Sequence, residues 1–237
     1  MGKKWEKDTK ARFFTFPVEL LRGAFTNTRE FCKQAVHYAI FVRCNEYNES
    51  PKEAFEFFGI HGNHDAAIKE GRELYESICN PPLTSVNDGI IWDFYRNPKT
   101  DFEIAVFCTF CGLRSIIGTK PFVKTNNGLL IARMFGCRSV VELEALKEKP
   151  AYYREHFSTA QKVRYQLTEK IIKNELVLNW GLKYYSNQSK GFHVSFKIEF
   201  ESLVLHAEKS RKSNLLKKQQ QEQKQVVKRI RQQIRGK

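Results

Sequence analysis

The sequence predicts a mainly α-helical fold with one small antiparallel β-hairpin. Apolar residues recur every three or four positions in several long stretches, which is typical of helices that bury one face. Polar capping signals of the form S/T/N-x-x-E/Q stand at the start of these stretches. The clearest two-residue alternation, typical of a strand, lies at residues 191–200. The chain has 237 residues, 41% of them hydrophobic, so it can build a sizeable core.

The region up to residue 97 is predicted to be mostly helical and structural. Residues 13–20 are a short, aromatic, strand-like stretch that ends at Pro17. Asn27 and Glu30 resemble a capping box that opens a helix to about residue 47. Further helices are expected around Phe55 and from about residue 65 to 78, before two consecutive prolines break the pattern.

A second capping box, formed by Thr100 and Glu103, opens a helix that is apolar nearly all round. Such a helix is expected to lie in the core, because it has no polar face to turn toward water. Gly118 is expected to end it. The short strand, polar cap and helix expected next occupy residues 122–124, 125–127 and 128–135.

Two more helices are predicted before the hairpin. Ser139 and Glu142 open a short one, and Ser158 opens the longest well-formed helix of the chain, which Gly181 is expected to end. Helical spacing predicts that one side of the longest helix packs against the protein and that the opposite side faces outward. The packing side carries Val163, Leu167, Ile171 and Leu178, and the outward side carries Gln161, Tyr165, Thr168 and Glu169.

The hairpin is predicted from two β-rich runs, residues 182–185 and 191–200, which a polar, basic tip joins. In the second run the apolar residues alternate strictly with His193, Ser195, Lys197 and Glu199. This period of two predicts that one face is buried and the other faces water.

Helix, short strand, helix, longer helix and basic hairpin, in that order, resemble the winged helix-turn-helix superfamily over roughly residues 100–200. KTNNGLLIARMFG (residues 124–136) looks like the positioning helix of such domains, and NELVLNWGL (174–182) looks like the end of the recognition helix. The wing would be residues 183–197. The chain departs from the family pattern by inserting residues 137–157 between two helices that normally meet at a short turn.

The sequence is therefore predicted to consist of a helical N-terminal region (residues 1–97), a winged helix-turn-helix domain (98–205) and a basic C-terminal helix or tail (206–237). The order of elements is also similar to replication initiators and regulators of plasmids and phages. The resemblance implies binding to double-stranded DNA by the 158–180 helix and the 183–197 wing.

Charge points to a polyanionic partner. The chain carries 40 Lys and Arg against 26 Asp and Glu, a net charge of +14. Eleven of those basic residues and only two of the acidic ones lie between residues 206 and 237, so most of the excess is in the tail. A membrane partner is disfavoured, because the apolar side of the tail lacks Trp and Phe. Without a signal-peptide pattern, and with six scattered cysteines, the sequence predicts a reducing, cytoplasmic location.

The predicted contacts with DNA follow from side-chain chemistry. Gln161 suits adenine and Arg164 suits guanine in the major groove, while Tyr165 and Thr168 can contact a phosphate or the thymine methyl group. The lysines beside these residues on the helix, and the polar residues of the wing, would contact the DNA phosphate backbone. The complete predicted set is Lys124, Asn126, Gln161, Lys162, Arg164, Tyr165, Thr168, Lys170, Lys173, Lys183, Asn187, Lys190, Lys209, Arg211 and Lys212.

Two other classes of function stay open on sequence alone. One is a structural or interaction protein of a phage particle or nucleoprotein complex, in which the winged fold binds protein. The other is an RNA-binding protein, which would prefer structured RNA to a duplex of equal length. A homo-oligomer or a larger protein assembly is compatible with each of these functions.

Two short motifs carry residue types found in metal sites, but neither is complete. Residues 62–65 match the Asn-His core of metallophosphoesterases but lack its companion motifs. Cys108 and Cys111 could join His61 and His64 in a zinc site, but the cysteines lie in an apolar helix, which favours buried thiols. No glycine-rich phosphate loop, nucleophile elbow or compact acidic cluster is present, so the sequence predicts neither an enzyme nor a cofactor.

Overall fold

The fold was determined from a computed structural model, which describes residues 12–146, 148–157, 166–186 and 191–235. Its first part combines six helices with two strands and a short 3-10 helix. These elements are β1 (Phe13–Pro17), a 3-10 helix (Val18–Leu20), α1 (Leu21–Ala24), α2 (Thr28–Glu46), α3 (Pro51–Phe58), α4 (His64–Ser77), β2 (Leu83–Asn87), α5 (Asp88–Arg96) and α6 (Asp101–Ile117).

The second part contains the three-stranded sheet. Its elements are β3 (Val123–Thr125), α7 (Asn127–Met134), α8 (Val140–Ala145), α9 (Ala151–Phe157), a π-helix (Gln166–Val177), β4 (Lys183–Tyr185), β5 (Phe192–Ser195) and α10 (Phe200–Arg235). The described chain is thus mainly helical with small antiparallel sheets of two and three strands, which confirms the predicted fold class.

Several helices start and stop where the local signals predict. Thr100 Oγ1 accepts a hydrogen bond from the Glu103 amide, and the Glu103 carboxylate accepts one from the Thr100 amide, so the capping box of α6 is complete. The Asn27 side chain caps α2 in the same position, accepting from the Glu30 amide. Gly136 ends α7 in a left-handed conformation with φ 69°.

One strand was not predicted. Residues 83–87 form β2, which pairs antiparallel with β1 in the register Phe13↔Asn87 to Pro17↔Leu83. Thr84 and Val86 are buried while Ser85 is only half-buried, so the strand has a core face. The segment is short and half polar, and only its pairing with a strand about 70 residues earlier makes it a strand.

The core is continuous across the boundary predicted near residue 98. Phe107, on α6, is fully buried and packs edge-to-face on Phe31 of α2, with ring centroids 5.8 Å apart. Its ring also packs against that of Phe94 on α5, with centroids 4.5 Å apart. The helix therefore lies in the core as predicted, and the residues on both sides of that boundary share one hydrophobic cluster.

The three-stranded sheet has the order β3-β5-β4, with both pairs antiparallel. The predicted hairpin between β4 and β5 is confirmed, but its second strand ends at Ser195 instead of residue 200, where α10 already begins. The prediction that β5 buries one face is also wrong. His193 is 4% exposed and Ser195 is fully buried. The reason is tertiary, because the first turns of α10 contact β4 and β5 and exclude solvent from the sheet.

The prediction of a single long α-helix over residues 158–180 also needs correction. Its start lies outside the described residues, and its described part is a π-helix rather than an α-helix. Leu167 and Ile171 are buried as predicted, but Leu178 is 73% exposed. The wider turn of a π-helix changes which residues share a face, and Ile172 and Leu176 complete the buried side. The longest helix of the described chain is α10.

Candidate nucleic-acid interface

The C-terminal helix α10 is anchored at its beginning and exposed thereafter. Leu203 and Ala207 are buried, whereas every residue from 209 to 226 is exposed. At 1.5 Å per residue, this exposed stretch is about 27 Å long. It carries six Lys and Arg residues against one Glu. The helix therefore presents a long, positively charged surface to solvent.

Contacts with the sheet fix the start of α10. The Tyr185 hydroxyl of β4 donates a hydrogen bond to Glu208 Oε1 at 2.8 Å. Glu208 Oε2 in turn accepts from Arg211 Nε at 2.7 Å. The His206 ring stacks on Phe122, with centroids 4.8 Å apart. These contacts hold the cationic head of Arg211 beside the sheet.

A cavity of about 260 Å³ lies between α10 and the strands β3 and β5. It brings together Lys124 and Arg211, two predicted DNA contacts that are far apart in sequence. Its complete lining is Lys124, His193, Ala207, Ser210, Arg211, Asn214, Leu215 and Lys218. Three of these side chains are cationic, and three others, His193, Ser210 and Asn214, carry hydrogen-bonding groups.

His193 is the buried polar residue of this cavity. Its Nδ1 has no hydrogen-bond partner among the residues that the structure describes. Burial lowers the pKa of His193, the charge of Lys124 lowers it further, and the charge of Glu208 opposes both. The imidazole is therefore neutral at pH 7, in surroundings where positive charge predominates.

Other predicted contacts lie around α7 and the π-helix, where some already bind protein groups. The Asn126 side chain accepts from the Leu129 amide at 2.9 Å, so it caps α7. Thr168 Oγ1 accepts a hydrogen bond from the Asn127 side chain at 3.3 Å. Lys173 pairs with Glu169 at 2.7 Å. These contacts give Asn126 and Thr168 structural roles.

The remaining predicted residues fall into three groups. Lys170 is exposed and lines a separate cavity that also includes Asp101 and His156. Lys183 is half-buried at the start of β4, and Lys209 and Lys212 are exposed on α10. The predicted contacts Gln161, Lys162, Arg164, Tyr165, Asn187 and Lys190 lie outside the described residues.

Sequence reasoning missed four polar or charged residues that line the cavity: His193, Ser210, Asn214 and Lys218. A signal for three of them was present. Positions 207, 211, 214 and 218 follow the three- and four-residue spacing of one helix face, and position 210 lies beside them. His193 gave no such signal, because the alternation of β5 placed it on the face expected to be exposed.

The potential metal ligands noted in the sequence do not form a cluster. Cys108 and Cys111 are fully buried, and burial raises the pKa of both thiols. Within the described ranges, no group of three or more His, Cys, Asp and Glu side chains is placed to hold a metal ion. The helices of those ranges also include none that is long and apolar enough to cross a membrane.

Comparisons with protein-family models, with curated proteins and with solved structures find no significant match to this chain.

Proposed function

We propose that the protein binds double-stranded DNA in the cytoplasm, as a regulator or replication initiator of a mobile element. The observation that carries this proposal is the exposed stretch of α10, residues 209–226, with its six basic residues. Lys124 and Arg211 extend that positive surface onto the sheet. The order of helices and hairpin over residues 100–200, similar to winged helix-turn-helix domains, supports the same partner.

The charge pattern of α10 favours a nucleic acid, rather than a second copy of the same helix, as its binding partner. Lys209, Lys212, Lys217 and Lys224 are all exposed, and Glu222 is the one acidic residue of the stretch. Two copies of this surface would repel each other, because like charges would meet along their length. A DNA backbone offers about one negative charge per 1.7 Å of helix axis, so a helix of this length can meet many phosphates.

A salt titration tests the proposal. Replacing Lys212, Lys217 and Lys224 by Gln is expected to weaken binding to all duplex sequences alike, because phosphate contacts carry no sequence information. The slope of log K against log salt should become shallower by about 0.9 for each phosphate that the variant no longer neutralises. Lys52→Gln is the matched control, since Lys52 is exposed on α3, and it should leave the slope unchanged.

The same measurement distinguishes the alternatives. An absence of affinity for any duplex at low ionic strength would contradict the proposal. Stronger binding to structured RNA than to a duplex of equal length would support an RNA-binding protein. A stable assembly with itself or with another protein, indifferent to DNA, would support a structural role.

A further inference from the structure

We infer that the cavity between α10 and the strands β3 and β5 is a binding site for a single phosphate group. The inference deepens the proposed function, on which it rests for the source of that phosphate, a nucleic-acid backbone or terminus. A free phosphate has the same chemistry, and the experiment below separates these sources.

The lining of the cavity has the composition that a phosphate site needs. Lys124 reaches it from β3, while Arg211 and Lys218 reach it from α10. Ser210 and Asn214, one helical turn apart, add neutral donors. Phosphate oxygens are strong acceptors, and charge-assisted hydrogen bonds from Lys and Arg to them are the stronger kind.

The size of the cavity limits what it can hold. Sites for drug-sized ligands span about 300–1,000 Å³. The volume here is about 260 Å³, which is below that range. The cavity is open along the exposed residues of α10, so a phosphate group that belongs to a longer chain can enter it. A polynucleotide could therefore place one backbone or terminal phosphate in the cavity while its neighbouring phosphates contact the exposed part of α10.

His193 is the second, independent observation that points to a ligand. The side chain lines the cavity, is 4% exposed and has an Nδ1 without a partner among the described residues. A buried polar atom without a hydrogen bond loses its contact with water and gains nothing in return, so native proteins keep few of them. A phosphate in the cavity would bring hydrogen-bond acceptors to the buried ring that lines it.

The surroundings of His193 predict how its protonation responds to a bound anion. The charged groups nearby are Lys124 on β3 and Glu208, Arg211 and Lys218 on α10. Tyr185 of β4 and Arg211 both hydrogen-bond Glu208. The pKa of His193 is lowered in the free protein. Because an anion in the cavity stabilises the imidazolium, binding should raise that pKa, and affinity should increase as the pH falls toward it.

The test uses the full chain, with inorganic phosphate as the first probe and chloride at equal ionic strength as its control. We expect saturable shifts of the His193 ring resonances and a rise of its pKa with phosphate. Lys124→Gln and Lys218→Gln should each weaken phosphate binding about tenfold or more. Lys52→Gln should leave it unchanged, because Lys52 is exposed on α3 and is absent from the cavity lining. Dispersed amide spectra verify the fold of each variant.

In the second part of the test, DNA duplexes with and without a 5′-phosphate compete with inorganic phosphate for the cavity. Displacement of inorganic phosphate by both duplexes assigns the site to the backbone, and displacement only by the 5′-phosphorylated duplex assigns it to a terminus. If neither displaces it, the site takes free phosphate. Unmoved His193 resonances with intact duplex binding would overturn the inference and leave the proposed function standing. Phosphate binding without duplex affinity would overturn the proposed function alone.

Discussion

Replacing Phe107 by Ala is expected to destabilise the whole described fold by about 3–5 kcal/mol. The Phe107 ring is fully buried on α6 and contacts Phe31 and Phe94, which belong to helices on the other side of the boundary predicted near residue 98. Removing it leaves a cavity that both parts of the chain line. Chemical denaturation followed by tryptophan fluorescence and by circular dichroism measures the decrease in stability, and both probes should report one shared transition.

Phe102→Ala is the matched control. Phe102 lies on the same helix but is 43% exposed. Its removal should cost clearly less than that of Phe107, about 1–2 kcal/mol, because much of its apolar area is already in contact with water. Equal destabilisation by the two variants, or separate transitions for the two parts of the chain in Phe107→Ala, would contradict a shared core.

Replacing Gly191 by Ala should disrupt the three-stranded sheet and lower the free energy of unfolding by about 3 kcal/mol or more. Gly191 has φ 97°, a conformation that L side chains rarely adopt. A Cβ at this position would overlap the Thr125 carbonyl oxygen and lie 3.6 Å from Lys124 Cε. Hydrogen exchange of the amides of β3 and β5 would report the disrupted pairing, and weaker phosphate binding should accompany it.

Gly181→Ala is the control that separates backbone strain at a positive φ from the steric overlap of a new Cβ. Gly181 also has a positive φ, 69°, but the described residues leave open space within 4 Å of a Cβ there. Its replacement should cost only the left-handed backbone penalty, about 1–2 kcal/mol. The overlap argument fails if Gly181→Ala is as damaging as Gly191→Ala.

The candidate interface was predictable in its parts but not in its arrangement. Lys124 and Arg211 were each expected to contact DNA, from the charge of their neighbourhoods and the resemblance. Their convergence on one cavity requires α10 to pack over the sheet, which no short-range pattern encodes. Thr168, which is predicted to contact DNA, also accepts a hydrogen bond from Asn127, and no pattern in the sequence indicates this contact between distant segments.

The sequence alone determined the features that depend on residues close together in the chain. Features of this kind are the capping box of Thr100 and Glu103, the glycine end of α7 and the β4–β5 hairpin. Each is set by interactions over a few residues, such as a side chain that satisfies a helix-end amide.

Only the tertiary structure decided the features that depend on distant segments. The β1–β2 pairing joins residues about 70 positions apart, and the burial of His193 requires a helix that begins after its own strand has ended. Backbone hydrogen bonds and excluded solvent fix these features once two surfaces meet, and hydrophobic periodicity does not specify which surfaces will meet. The cavity around Lys124, His193 and Arg211 is therefore a property of the fold.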